Sequence, residues 1–433
     1  MKHINKLILC ISLIGLCACN DFLDVVPDNI PTIDHAFNNR ASAEKYLYTC
    51  YSYLPDPCSP NYTPQLMSGN ECWINPLDNN RYWYDLHTFD IARGYQNTNE
   101  PILNFWDGRN AGTNLFIALR DCNIFLENID KPADLELYDK ARWIAEVKAL
   151  KAYYHFYLLR MYGPIPIVKE NIPVSSDIDE VKVYRDPVED VFAYIVALLD
   201  EAAADLPEYI QNRTQEIGRL TKPIALALKA KALTLAASPL FNGNPYYANM
   251  KDNRGISLFP QTYDPEKWTL AAAATLEAIE AAHAGKHELY YYKGFNPVSE
   301  DTRRKLHIRN AVTERWNDEI VWGSTKDQTH LQKVTCTRTR SNQASNDERS
   351  MMSPTLDVVE TFYTKNGVPI NEDKTWDYEN RYQVREAEED HKYFIKTGHI
   401  TANLNFDREI RYYASLSFDG GIIYGNGILN DED

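Results

Sequence analysis

The stretch that most constrains this chain runs from Ala145 to Met161, AEVKALKAYYHFYLLRM, made of strong helix formers with neither Gly nor Pro before Gly163. At about 100° per residue its side chains fall into two apolar stripes. Trp143, Val147, Leu150, Tyr154, Tyr157, Leu158 and Met161 share one side. Ala145, Ala149, Ala152, Phe156 and Leu159 share the other. Narrow polar strips lie between them: Lys148, Lys151 and His155 on one edge, Arg142, Glu146 and Arg160 on the other. A helix apolar on two faces sits between neighbours, as in a stacked helical array. The Ala-rich stripe lets one neighbour come close.

Similar helices surround it. Ala41 to Leu54 reads as a helix closed by Pro55 and Pro57, and Pro101 to about Ile129 as a longer one carrying Leu103, Trp106, Leu115, Leu119 and Phe125. Asp186-Pro187 opens another, with the proline at the first helical position, and it runs to Pro207. Thr221-Lys222-Pro223 begins a helix ending at Ser238, and it repeats the tetrad Ala149-Leu150-Lys151-Ala152 as Ala227-Leu228-Lys229-Ala230. Asp264-Pro265 caps the next, which passes through Trp268, Leu276 and Ile279 to a stop at Gly285. Helix pairs with a recurring motif predict a mainly α, tetratricopeptide-like repeat scaffold; about three pairs are visible, near the minimum for a self-supporting stack. Beyond Gly285 the pattern changes to short β-like runs and loops.

These residues carry a resemblance. The signature helix closed by Tyr162-Gly163-Pro164-Ile165-Pro166 resembles that of the SusD/RagB family, nutrient-binding lipoproteins of the Gram-negative cell surface. Cys19-Asn20-Asp21-Phe22-Leu23-Asp24-Val25-Val26-Pro27 resembles the family's opening, and the stretch from Arg219 to Asn242 its second signature. Glu319-Ile320-Val321-Trp322 is similar to a strand that follows the third repeat, and the stretch from Pro354 to Gly367 to a later family segment. The resemblance implies a single SusD-like domain over residues 19–433, with helical repeats over about 34–284 and an irregular, β-containing insertion over 285–433. Members of the family usually continue through a fourth helix pair that nothing here matches, so the C-terminal part of the fold is expected to be missing. Trp106 resembles a packing tryptophan of the family and is given no ligand role.

The N-terminus reads as a lipoprotein signal peptide over residues 1–18: a basic start, an apolar run from Leu7 to Ala18 too short to span a bilayer, then Leu16-Cys17-Ala18-Cys19, which resembles a lipobox. No other stretch approaches the ~20 apolar residues of a membrane helix, so acyl chains on Cys19 would be the only anchor. The formal charge is −16, and removing Lys2 and Lys6 with the leader takes it to about −18. That balance argues against nucleic acid as a partner, which needs a basic face. After Cys19 the cysteines are Cys50, Cys58, Cys72, Cys122 and Cys336, an odd number that leaves at least one unpaired. A disulfide among Cys50, Cys58 and Cys72 and buried free thiols are both open.

No sequence pattern builds an active site: there is no H-E-x-x-H, G-x-S-x-G or P-loop, and no zinc-like cysteine spacing. No cofactor is implied. His283 and His287 straddle Gly285 and read as a frayed surface pair, and His155 as packing or a hydrogen bond. The positive candidate is aromatic. Trp73, Tyr82, Trp83 and Tyr84 lie in aperiodic, Pro- and Asn-rich sequence beside Asn80 and Arg81. Flat rings next to amides and a guanidinium suit sugars, whose apolar faces stack while hydroxyls find partners. Trp316, near the later insertion, is a further candidate; packing of the loops on the helices is the competing reading for each ring. The resemblance implies a non-enzymatic protein, lipid-anchored at the outer-membrane surface, that captures an oligosaccharide or polysaccharide and delivers it to a SusC-like TonB-dependent transporter. The alternatives are peptide capture, a surface glycoside hydrolase, or a scaffold that only lids the transporter.

Overall fold

The computed structural model describes residues 33–59, 62–74, 87–326, 331, 332, 335, 352–425 and 431. Cys19 with the leader, Cys336, and the whole run Asn80, Arg81, Tyr82, Trp83 and Tyr84 lie outside the described residues.

Helices dominate. α1 (Arg40–Ser52), α2 (Leu115–Asn128), α3 (Leu137–Tyr162), α4 (Val188–Asp205), α5 (Lys222–Ala237) and α6 (Glu266–Ala284) follow in order. Each packs on the next in sequence, and α5 also touches α3. This is the tetratricopeptide-like stack that the periodicity predicts. Both stripes of α3 are inside it: Trp143, Val147, Leu150, Tyr154 and Leu158 are buried, as are Ala145, Ala149, Ala152, Phe156 and Leu159. α3 stops at Gly163, whose φ of +68° favours glycine. An added Cβ there would lie 3.3 Å from the Phe259 ring. Among the described residues no helix is long and apolar enough to cross a membrane.

Several expectations need correction. The polar strips of α3, whose burial the periodicity does not predict, are largely inside: Arg142, Glu146, Lys151 and His155 are all buried, His155 in the packed, hydrogen-bonded role expected of it. Lys151 Nζ donates to the Lys169 carbonyl (2.6 Å), and His155 bridges Lys151 O and Val168 N. Most of the strips' polar atoms are satisfied internally by ions and carbonyls, with Arg142 Nη2 and Arg160 Nε left without a partner.

The helix expected from Pro101 starts only at Leu115, where the Asn114 side chain caps it by accepting from Ile117 N. Upstream, the Asn104 side chain accepts from Trp106 N and Asp107 N. Leu103, Asn110 and Ala111 have positive φ. Short polar side chains that capture local N–H groups hold this stretch in turns against the apolar pattern.

α6 buries Ala271 and Ala274 and exposes Trp268, Leu270, Leu276 and Ile279, so its large side chains face outward.

Past α6 the chain forms α7 (Glu300–Thr313), α8 (Leu356–Thr361) and α9 (Ile410–Ser415). α7 packs on α9. β1 (Cys72–Ile74) pairs antiparallel with β2 (Met352–Pro354), and β3 (Val384–Glu386) with β4 (Ile400–Ala402). Val359, Ile370, Leu404, Tyr412 and Tyr413 make a second small core. Buried Arg408 braces it by donating to the carbonyls of Leu404, Val359 and Phe362.

Glu319-Ile320-Val321-Trp322 is not a strand but a run of turns and bends. Asn317 holds it there: its side-chain oxygen accepts from Glu319 N, and its amide donates to the carbonyls of Ala311 and Glu314. Cys50, Cys58, Cys72 and Cys122 are free thiols, which settles that choice for these four.

Candidate functional site

α1, α3 and α5 meet the segments 215–219 and 321–326 around a cavity of about 490 Å³. Its aromatic wall comes from Tyr48 and Tyr51 on α1, Tyr153 on α3 and Trp322. Tyr153 lies between the two stripes of α3, so it points at neither helical neighbour squarely and is left at the edge of the stack. The Trp322 ring meets it edge-on, with centroids 5.3 Å apart and planes at 77°. The indole Nε1–H donates to Gly218 O (3.3 Å), which fixes the ring.

Two glycines allow the segments to close on each other. At Gly218 (φ +91°) an added Cβ would lie 2.7 Å from Thr325 Cγ2. At Gly323 it would meet the Trp316 ring at 2.7 Å.

Behind this wall is a buried ion network. The carboxylate of Glu146, fully buried, accepts from Arg219 Nε (3.0 Å) and Nη2 (2.7 Å), from Arg142 Nε (3.0 Å) and from Tyr51 Oη–H (2.6 Å). Glu216 takes the other sides of both guanidinium groups. Tyr51 Oη in turn accepts from Leu220 N (3.0 Å). Burial, followed by the adjacent Glu146 carboxylate, pushes the Tyr51 hydroxyl well above its ordinary pKa, so it stays a donor. Two wall residues, Tyr51 and Arg219, are thus clamped from behind by one carboxylate on α3.

Of the residues proposed from sequence, Trp73 is half-buried in another place, in β1. Its ring packs edge-on to Phe89 (5.5 Å), near Met67 and Met352, with the Arg93 guanidinium 5.8 Å from its centroid. Trp316 does not line the cavity; it backs Gly323 and accepts at its carbonyl from Arg213 Nη2 (3.0 Å). The cavity's own aromatics were not singled out. The cue for Trp322 was the pair Trp322-Gly323 following Trp316, where a ring and a glycine mark a close approach of chain segments. Among the described residues no group of three or more His, Cys, Asp or Glu side chains is placed to hold a metal ion. His287 Nδ1 lies 3.2 Å from the Asp318 carbonyl oxygen.

The described residues thus form a repeat scaffold, a stack of helix pairs carrying a loop-closed aromatic cavity. Residues 21–233 match the family model described as "Starch-binding associating with outer membrane", and residues 318–431 match the model of the SusD family. The chain belongs to the SusD/RagB family. Among solved structures it is similar to BT4246, with 28% identity and a TM-score of 0.72 over 89% of this chain and 66% of that one. It is also similar in fold to a SusD-like protein, BF3747, of Bacteroides fragilis NCTC 9343 (17% identity, TM-score 0.58, 89% of this chain and 62% of that one). A SusD-like carbohydrate-binding protein, BF0978, of the same organism gives 19% identity and a TM-score of 0.53 over 87% of this chain and 59% of that one. The chain spans less than two thirds of the length of each of these relatives. No functionally curated protein matches it.

Proposed function

We propose that this protein is a non-enzymatic, cell-surface glycan-binding protein that seats an oligosaccharide against Tyr153 and Trp322 and delivers it to a TonB-dependent outer-membrane transporter. The observation that carries the reading is the cavity: fixed aromatic faces beside Gln215, Arg219 and Lys231, a composition suited to apolar sugar faces and their hydroxyls. Membership of the family supports both the ligand class and the transporter partner. The Trp73 region and the segment Asn80–Tyr84 stand as a second candidate platform, and Trp316 as a support of the first.

A central aromatic in a binding site commonly carries about 2 kcal/mol or more, roughly thirtyfold in affinity. Trp322→Ala is expected to weaken retardation in polysaccharide affinity gels and titration of the matching oligosaccharide by about that factor, while no reducing sugar is released. Trp83→Ala is the comparison. Loss of binding in Trp83→Ala with none in Trp322→Ala places the platform in the 73–84 segment, and release of reducing sugar makes the protein a hydrolase.

The anchor has its own test. Cys19→Ala is expected to abolish incorporation of labelled palmitate and to remove the protein from the outer-membrane fraction. Retention of both in the variant means that Cys19 is not the lipid site.

A further inference from the structure

The charged side chains of the cavity wall are Arg219, Lys231 and Lys326, with no Asp or Glu among them. The chain as a whole carries 61 acidic against 45 basic residues, so this one-sided lining runs against its composition.

The three cations are not equivalent. Arg219 is neutralised by Glu146 and Glu216. Lys326 Nζ donates to Leu54 O (2.7 Å). Lys231 has neither a carboxylate nor a carbonyl partner among the described residues. Lys229, two residues away on α5 and mostly buried, by contrast has two carboxylate partners, Asp200 (2.6 Å) and Glu277 (2.9 Å).

A second cation lies close by. The Arg160 guanidinium rests over the rings of Phe156 (5.0 Å) and Tyr157 (5.1 Å), and its buried Nε has no hydrogen-bond partner. Burial first, then Arg160, pulls the Lys231 amine below its ordinary pKa. A negative group placed there would relieve both effects.

We propose that the cavity selects acidic sugars: the anionic group of a saccharide, a uronate carboxylate or a sulfate ester, pairs with Lys231 while the ring lies against Tyr153 and Trp322. This deepens the glycan-binding reading and rests on it. Lys231 is exposed at the cavity wall, and a charge-assisted hydrogen bond is about twice as strong as a neutral one, so the acid group is a source of selectivity as well as affinity.

The test is titration calorimetry with the full chain and matched probes. These are an oligogalacturonate, its fully methyl-esterified form, a sulfated galactan oligosaccharide and its desulfated form. At low ionic strength one of the acidic probes is expected to bind about tenfold or more tighter than its neutral counterpart, a gap of about 1.4 kcal/mol. The carboxylate and sulfate pairs show which anion is read. The preference is expected to fall with added salt, to vanish in Lys231→Met and to survive in Lys231→Arg, with unchanged melting temperatures showing that both variants fold.

Equal binding of acid and neutral probes, still lost in Trp322→Ala, overturns the selectivity and leaves the glycan site standing. An acid preference that persists in Lys231→Met overturns the assignment to Lys231. Failure of acidic probes to bind, whether or not neutral glycans do, overturns the proposal; failure of every glycan, neutral or acidic, removes the glycan-binding reading itself.

Discussion

Glu146→Gln is expected to destabilise the protein by about 3–5 kcal/mol, the cost of breaking a buried ion pair on one side. Glu146 is fully buried and holds Arg142, Arg219 and Tyr51 at once. The neutral amide keeps a single acceptor oxygen for the donors of Arg142, Arg219 and Tyr51, so Arg219 keeps only Glu216 as a charged partner and buried Arg142, whose Nη2 already lacks a partner, faces an amide instead of a carboxylate. Urea unfolding of the two proteins reads the difference directly as a shift of midpoint at constant slope. A loss under about 1 kcal/mol would mean that water replaces the carboxylate and that the network is dispensable.

The informative companion is Arg142→Met/Glu146→Leu/Arg219→Met. Replacing a whole buried ion cluster with apolar side chains is often neutral or stabilising. The triple variant, which still leaves Glu216 without its two arginines, is expected to recover part of the stability and still bind sugar poorly, because Tyr51 has lost its acceptor and the cavity has lost Arg219.

The second large effect is on acid sensitivity. His155 is fully buried on α3, with Nδ1–H donated to Lys151 O (2.8 Å) and Nε2 accepting from Val168 N (3.1 Å). Both ring nitrogens are committed to the neutral tautomer. Burial is the main cause that holds its pKa down, at about 4 against an ordinary 6.5. The charged and titratable groups against it are Lys151 on its own helix and Tyr194 on α4, whose ring stands edge-on at 5.2 Å.

A depressed histidine pKa means that the unfolded chain binds the proton first. The stabilisation is complete above about pH 6.5 and is lost as the pH falls toward 4, reaching roughly 3 kcal/mol in all and about 2 kcal/mol by pH 5. Carboxylates add their own acid dependence, so the measure is the difference between wild type and His155→Gln from pH 7 to pH 5. Wild type is expected to lose stability more steeply by that amount. Parallel curves would show that His155 protonates in the folded protein without penalty.

How much of this was legible in the sequence differs from element to element for physical reasons. α3, whose pattern reads as a helix over roughly 135–162, α5 and α6 were readable to within a residue or two because helix formers, an apolar period and a terminal Pro or Gly coincide. The stretch from Pro101 to Asn114 was misread because Asn104 and Asn114 spend their side chains on local N–H groups, a competition that a hydrophobic pattern does not register.

α7 was missed for the opposite reason. Its sequence, EDTRRKLHIRNAVT, is mostly polar, and its buried face is only Thr302, Lys305 and Leu306. Periodicity placed Glu146 and Arg142 correctly on one edge of α3 but could not show that Glu216 and Arg219, some seventy residues on, would close over them. The cavity was illegible for the same reason: Tyr48, Tyr153, Lys231 and Trp322 share no local pattern and meet only through the stack.

That assembly has a consequence for how occupancy is felt. Each wall of the cavity is contributed by a different helix or loop, from Tyr48 on α1 to Lys326 beyond α7, and none of these pieces forms the cavity alone. A ligand that binds there binds only the folded array, so its free energy adds to that of folding by about 2.7 kcal/mol at a hundred times Kd. A ligand bound there would tie together the first helix, the middle of the stack and the insertion. Amide exchange should slow across all three at once when the cavity fills, including in α1, far in sequence from the Trp322 loop.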